Sequence, residues 1–110
     1  MRNRKLEGMI GLAARAGKVR SGEFGAEESV KSGKAAFCLL AEDASAPTIK
    51  KFEDMCRFRN IPVYRGGFDK ISLGRLIGRE ERAVLTVEDQ NMAAVIAAYY
   101  EGGNACGYRE

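Results

Sequence analysis

The sequence predicts an α/β fold, a three-layer α/β/α sandwich with a small mixed sheet and about five helices. Stretches with apolar residues three and four positions apart, which are typical of helices, alternate with short apolar runs along the whole chain. The run from residue 35 to 41 is apolar at every position, which is typical of a strand covered on both faces. This alternation favours helices packed on both sides of one sheet. A chain of 110 residues is long enough for one such core.

The first helix is predicted over residues 1–15. Its apolar positions recur three and four apart, while the basic side chains lie outside that stripe. The stripe consists of Leu6, Met9, Ile10, Ala13 and Ala14. Gly17 ends the helix, and residues 18–21 are predicted to form a short extended segment, an edge strand.

The second helix is predicted between Ser21, its candidate N-cap, and Gly33, its candidate stop. The wholly apolar strand follows directly and ends in two acids, Glu42 and Asp43. Paired carboxylates can perform acid–base or metal chemistry, but no third ligand stands at a suitable spacing. Asp43 is therefore expected to cap the turn before the third helix.

The second half of the sequence is predicted to form three helices and two strands. The third helix has Ser45 as N-cap and Pro47 in its first turn, and residues 61–64 follow as a strand. The fourth helix stops at Gly78, residues 82–87 form the last strand, and Asp89 caps the fifth helix. The expected buried positions of the three helices are Ile49, Phe52, Met55 and Cys56, then Leu73, Leu76 and Ile77, then Met92, Ala93, Val95, Ile96 and Tyr99. Residues 1–101 are expected to form one domain and residues 102–110 a flexible tail.

The composition excludes several classes of function. The chain has no histidine, so the usual general base and metal ligand are absent, and we predict neither an enzyme nor a protein that uses a metal, a cofactor or a small-molecule substrate. Three cysteines without paired spacing argue against disulfides and zinc; Cys38 and Cys56 are expected to pack in the core and Cys106 to be exposed. No apolar run is long enough for a membrane span or a signal peptide, so a cytoplasmic location is expected.

Positive charge is concentrated in two blocks. Residues 1–34 hold eight basic and four acidic side chains, and residues 57–82 hold seven basic and three acidic ones. The two blocks can merge into one patch for an anionic partner after folding, or they can be separate solvated helix faces. Charge alone leaves both alternatives open.

The start of the second helix is the first candidate site. A helix start offers free N–H groups and a positive dipole end, which suit a phosphate, and Gly22 begins it. Lys18, Arg20 and Lys31 surround this start and are candidate phosphate contacts. Phe24 either stacks on an unpaired base or folds back onto the preceding strand as a hydrophobic staple.

The glycine-rich loop before the fourth helix is the second candidate site. It reads Arg65, Gly66, Gly67, Phe68, Asp69 and Lys70. Glycines beside an aromatic residue commonly let a ligand approach closely, so Phe68 is expected to contact the ligand, with Arg65 and Lys70 closing that side.

Several short motifs in order resemble the L7Ae/L30e family of ribosomal proteins, most closely its bacterial YlxQ-type branch. The residues that carry the resemblance are Gly11–Lys18, Ser21-Gly22-Glu23, Gly33-Lys34-Ala35, Leu39–Ser45, Thr48 with Lys50-Lys51, Ile61-Pro62-Val63 and Leu73–Gly78. The similarity runs from about Leu6 to Tyr99. It implies a three-layer α/β/α sandwich that binds structured RNA, typically kink-turns, in a ribosomal or translation context with ribosomal or translation proteins as further partners.

In that family the start of the second helix enters the RNA, which implies a role here for residues 22–28, Glu23 and Gly25 included. A loop after the third main strand covers a flipped-out base, which implies a role for residues 65–70. Where kink-turn binders carry Asn-Glu this chain has Phe24-Gly25, and where they carry Lys one turn on it has Glu28. Because these changes remove base-edge hydrogen bonds and add an acid, a second hypothesis is a protein-interaction module of the same fold.

Overall fold

The computed structural model describes residues 4–101 and confirms the α/β class. Within those residues the elements are α1 (Arg4–Arg15), β1 (Val19–Ser21), α2 (Gly22–Lys31), β2 (Phe37–Leu40), α3 (Ala46–Phe58), β3 (Val63–Arg65), α4 (Lys70–Leu76), β4 (Val84–Val87) and α5 (Gln90–Glu101). None of these helices is both long and apolar enough to cross a bilayer. The first three residues of the predicted first helix, the predicted tail and Cys106 lie outside the described residues.

The four strands form one mixed sheet in the order β1-β4-β2-β3. β2 and β3 are parallel, whereas β4 is antiparallel to both of its neighbours. Ser21 lies opposite Leu85, and Leu40 lies opposite both Val84 and Arg65. Consequently β1, β2 and β3 end, and β4 begins, at one end of the sheet, which we call the upper end. The other end, where β4 finishes, is the lower end.

Both faces of the sheet are covered, because β2 and β4 are buried at every residue. Successive side chains of a strand point to opposite faces. Phe37 and Leu39 accordingly pack with α1, α4 and α5, while Cys38 and Leu40 pack with α2 and α3. This is the predicted strand between two helical layers.

The two predicted core cysteines are buried. Cys38 of β2 and Cys56 of α3 lie in the α2/α3 cluster as free thiols. The neighbouring Cys56 thiol and burial both raise the pKa of Cys38, so this side chain stays protonated.

Two details of the predicted elements are wrong. On α5, Val95 is 44% exposed and Tyr100 is buried instead, with its ring stacked on Tyr64 at a centroid distance of 5.4 Å. Asp43 does not cap the turn before α3: its carboxylate accepts a 2.9 Å hydrogen bond from the Lys70 backbone N–H. Ser45 caps α3 as predicted, accepting from the Thr48 backbone N–H.

Candidate nucleic-acid interface

α2 begins at the upper end of the sheet without a linker after β1. Gly22 makes this possible, because its φ of +82° is a conformation that residues with a side chain rarely adopt. A side chain at Gly22 would lie 3.9 Å from the side chain of Arg82, which precedes β4. The α2 start and the segment before β4 therefore lie against each other.

Arg82 connects three segments at this end. Its Nε donates to the Ser21 hydroxyl at 3.1 Å, its Nη1 donates to the Glu81 carbonyl at 2.9 Å, and its backbone N–H donates to the Lys70 carbonyl at 3.0 Å. The Ser21 side chain makes no capping hydrogen bond to α2. The first N–H groups of α2 thus lack a side-chain cap and remain available to an external acceptor.

Phe24, the third residue of α2, is 83% exposed. A hydrophobic staple would bury the ring against the preceding strand, so that alternative is wrong. The structure leaves the ring free to stack on an external partner.

Glu23 connects the start of α2 to the start of α3. Its carboxylate accepts a 2.5 Å hydrogen bond from the Thr48 hydroxyl, and the Thr48 oxygen accepts in turn from the Ser45 hydroxyl at 2.9 Å. This chain of hydrogen bonds fixes the first turn of α2 relative to its neighbour.

Arg20 and Glu28 form an ion pair of 2.7 Å between Nη2 and Oε1. The hydrogen bond to the Glu28 carboxylate raises the pKa of Arg20. The guanidinium also lies over Gly25, where a side chain would be 3.7 Å from it. Glu28 therefore presents a paired carboxylate to an approaching phosphate, and the charge of Arg20 is partly compensated.

A groove of about 750 Å³ runs along the α2 start. Residues 19–25 form one wall, and Arg79, Glu81, Arg82 and Ala83 form the other. We call it the α2 groove. It combines uncapped helix N–H groups, arginine side chains and an exposed ring, which are groups that bind phosphates and unpaired bases.

The glycine-rich loop is closed by the protein itself. The Gly66 carbonyl accepts from the Tyr100 hydroxyl at 2.9 Å, a side chain at Gly67 would lie 3.1 Å from that hydroxyl, and the Gly67 N–H donates to Glu42. The two glycines have φ values of 116° and 88°. They allow the backbone to approach Tyr100, and the approach of a ligand to this loop stays a prediction.

Phe68 is mostly buried. It is 8% exposed and packs in the cluster formed with α1, α4 and α5, while it also lines a cavity of about 560 Å³ beside α4, so the contact of its ring with a ligand stays a prediction. Arg65 is the last residue of β3, and Lys70 is the first residue of α4. Both residues lie at the upper end. Arg65 is opposite Leu40, the last residue of β2, and the Lys70 backbone N–H donates to the Asp43 carboxylate.

Lys18 and Lys31 lie at the lower end. The Lys18 carbonyl accepts from the N–H of Glu88, which follows β4, at 2.7 Å. Lys31 closes α2, roughly 15 Å along the axis from its start, and pairs with Glu27 at 2.7 Å. The predicted site therefore divides, with residues 22–25, Arg65 and Lys70 at the upper end and these two lysines away from it.

Sequence reasoning counted Arg79 and Arg82 only as members of a basic block and missed them as site residues. Their positions depend on β4 lying beside β1, a pairing between distant segments. The available signal was their location at the end of that block, immediately before an apolar strand. Within residues 4–101, no group of three or more Cys, Asp or Glu side chains lies close enough to hold a metal ion.

Comparison with known proteins identifies relatives of the whole fold. The sequence profile of the ribosomal protein L7Ae/L30e/S12e/Gadd45 family matches residues 4–97. RNA-binding protein YlxQ of Bacillus subtilis (strain 168) is 42% identical over 85 residues, 77% of this chain and 84% of that protein. RNA-binding protein YlxQ of Enterococcus faecium is 32% identical over 98 residues, 89% and 93% of the two chains.

A solved structure of a Bacillus halodurans protein of unknown function is also similar. It has a TM-score of 0.82 and 36% sequence identity, covering 87% of this chain and 96% of that one. The profile match, the curated relatives and this structure agree with the resemblance found in the sequence. The chain belongs to the ribosomal protein L7Ae/L30e/S12e/Gadd45 family.

Proposed function

We propose that this chain is a non-enzymatic RNA-binding protein that docks a structured, kink-turn-like RNA at the upper end of its sheet, in association with the ribosome or with translation. The relatives named RNA-binding protein YlxQ support the partner class. One structural observation carries the site: the Phe24 ring is 83% exposed beside the uncapped start of α2.

Phosphates are held by the α2 start and the neighbouring cations. The uncapped N–H groups and the positive end of the helix dipole accept one phosphate. Arg79 and Lys70 contact others, while Arg82 orients the groove wall by holding Ser21. Such contacts set the position of the RNA without reading its sequence.

Phe24 stacks on an unpaired base. Because Phe24-Gly25 replaces the Asn-Glu of kink-turn binders, the base is held by ring contact and the shape of the RNA instead of base-edge hydrogen bonds. Glu28 does not oppose this, since Arg20 neutralises it. The expected result is recognition of a bent RNA with modest dependence on its sequence.

The test is titration of a kink-turn RNA and of an uninterrupted duplex of the same length at several salt concentrations. We expect tighter binding of the kink-turn RNA, and a log–log salt slope that falls by roughly 1.4–1.8 in a Lys70→Gln/Arg79→Gln variant, since each phosphate contact contributes about 0.7–0.9. A Lys34→Gln/Lys50→Gln variant with the same charge change is the control. Equal slopes in both variants would overturn the proposal.

The exposure of Phe24 also suits a protein interface, which is the second candidate function. The two functions differ in the same titration. Absence of salt-dependent RNA binding, together with a nuclease-resistant complex that the Phe24→Ala variant does not form, would favour a protein partner.

A further inference from the structure

α1 and α4 leave a groove of about 440 Å³ between them. Its α1 wall carries Arg4, Glu7, Gly8, Gly11 and Arg15, and its α4 wall carries Leu76. A side chain at Gly8 would meet no atom within 4 Å, so this wall is open helix backbone. We call it the α1–α4 groove.

Two arginines line the groove, one at each end of α1. Arg4 and Arg15 are exposed, and neither has a carboxylate within ion-pair distance among residues 4–101. They are eleven residues apart on one helix, which places them roughly 16 Å apart along its axis. The Arg15 guanidinium lies back over Gly11, 3.6 Å from where a side chain would begin. Two arginines at such a spacing can contact phosphates several positions apart along a nucleic-acid strand.

The α1–α4 groove and the α2 groove are separated by one short segment. Leu76 lines the first, and its carbonyl is 3.7 Å from the side-chain position of Gly11. Arg79, three residues later, lines the second, and its N–H donates to the Gly74 carbonyl at 2.8 Å. The segment from Leu76 to Arg79 therefore borders both grooves.

The groove carries mixed charge, since the Glu7 carboxylate lies between Arg4 and Arg15 along α1 and the two arginines outnumber it. Beyond Glu7 and Leu76 it continues into a cavity of about 560 Å³ that carries the carboxylates of Glu42 and Asp69, with Arg75 as its basic side chain. An anionic polymer is favoured beside the two arginines and disfavoured beside Glu42 and Asp69.

We propose that the α1–α4 groove is a second RNA-binding surface, which holds the phosphate backbone of a stem that continues from the RNA docked in the α2 groove. Arg4 and Arg15 contact the phosphates. Among residues 4–101 no aromatic side chain lines the groove, so bases do not stack there. This inference rests on the proposed function and extends its footprint from an internal loop to the adjoining helix.

The experiment compares two RNA probes. One has a kink-turn with a stem long enough to cross the 30 Å extent of the molecule, and the other is cut directly after the internal loop. We expect an Arg4→Gln/Arg15→Gln variant to bind the long probe about tenfold more weakly, with a salt slope lower by roughly 1.4–1.8. Its affinity for the short probe and its thermal midpoint should match the unmodified chain.

The control is the Lys34→Gln/Lys50→Gln variant, which loses the same charge elsewhere. If the Arg4/Arg15 variant binds the long probe like the unmodified chain, or loses no more affinity than the control, the second surface does not exist. If the Lys70→Gln/Arg79→Gln variant still binds both probes more weakly in that case, the proposed function is retained and only the second surface is rejected. If no variant changes a salt slope, both proposals fail.

Discussion

Phe24 is kept on the surface although burying a phenylalanine side chain contributes about 1.5–3 kcal/mol. The orientation of the ring follows from its position on the helix. Ala26 and Val30 face the sheet, and Phe24, two residues before Ala26, points to the opposite side of α2. An exposed ring at this point contributes nothing to the core and is available to a partner.

Replacing Phe24 by alanine should weaken binding of a kink-turn RNA by roughly 1–3 kcal/mol, the value of one base stacked on one ring. The unfolding free energy should stay within about 0.5 kcal/mol of the unmodified chain, because the ring packs on nothing. Phe58→Ala is the matched control: its ring is 81% exposed at the end of α3, where no RNA contact is proposed. Isothermal titration and chemical denaturation check the two expectations, and equal losses in both variants would contradict a specific role.

Phe24 and Phe68 show which side-chain positions can be predicted from the sequence and which cannot. Phe24 lies in a helical pattern, so its phase was available from spacing. Phe68 lies in an aperiodic loop, and its burial depends on α1, α4 and α5 meeting above it. Tyr100, which closes the neighbouring glycines, comes from a segment more than thirty residues away.

At the scale of elements, α2 and α3 run side by side and are joined twice. Glu23 accepts from Thr48 near the upper end, and Glu27 pairs with both Lys31 and Lys51 at 2.7 Å one turn on. The hydrogen bonds from Lys31 and Lys51 lower the pKa of Glu27 to about 2. The pairs keep the α2 start in register with its neighbour.

Glu27 should make stability depend on pH in acid. Its pKa is lower in the folded chain than the ordinary value of 4.5, so its contribution is complete above that value and is lost as the pH falls toward about 2. The difference in unfolding free energy between the unmodified chain and Glu27→Gln should therefore shrink over this interval. Denaturant melts at pH 6, 4 and 2.5 measure it, and Glu53→Gln on α3 is the control. A difference that stays constant would contradict the ion-pair assignment.

α4 and the segment after it are joined through a glycine. A side chain at Gly74 would lie 1.9 Å from the Glu80 carbonyl oxygen, which is backbone and cannot move aside alone. This contact holds the segment that carries Arg79 and Arg82. The close approach explains why a helix interior here has no side chain.

Gly74→Ala should therefore destabilise the fold by about 1–3 kcal/mol, as overpacking typically does, although alanine favours a helix. Gly8→Ala on α1 meets no atom and should instead stabilise by about 0.5–1 kcal/mol. Urea midpoints of the two variants check the contrast. A Gly74→Ala variant as stable as the unmodified chain would show that the segment is not held in this way.

Element types were predictable from the sequence because caps and stops are local: Ser45, Gly33 and Asp89 act within one turn of their own position. The buried face of α5 could not be predicted from the sequence, since this helix is apolar on most sides and several sets of residues fit the spacing of a buried face. The order of the strands was also out of reach. It depends on β4 entering between β1 and β2, a pairing across most of the chain.

At the scale of the whole molecule, the strand order gathers the groups of the candidate site. By placing β4 beside β1, it brings Arg79 and Arg82 to the start of α2. The two basic blocks of the sequence therefore do meet, but through their arginines instead of the predicted Lys18 and Lys31. The family resemblance pointed to the start of α2, whereas the partition of charge between the two ends required the fold.

The most direct test of the central claim is a map of the backbone amides that shift when a kink-turn RNA is added to the isotope-labelled chain. The claim predicts shifts concentrated at residues 21–25 and 79–83, at the upper end of the sheet, and reduced in the Phe24→Ala variant. Shifts concentrated instead at residues 31–36 and 59–61, at the lower end, would contradict it.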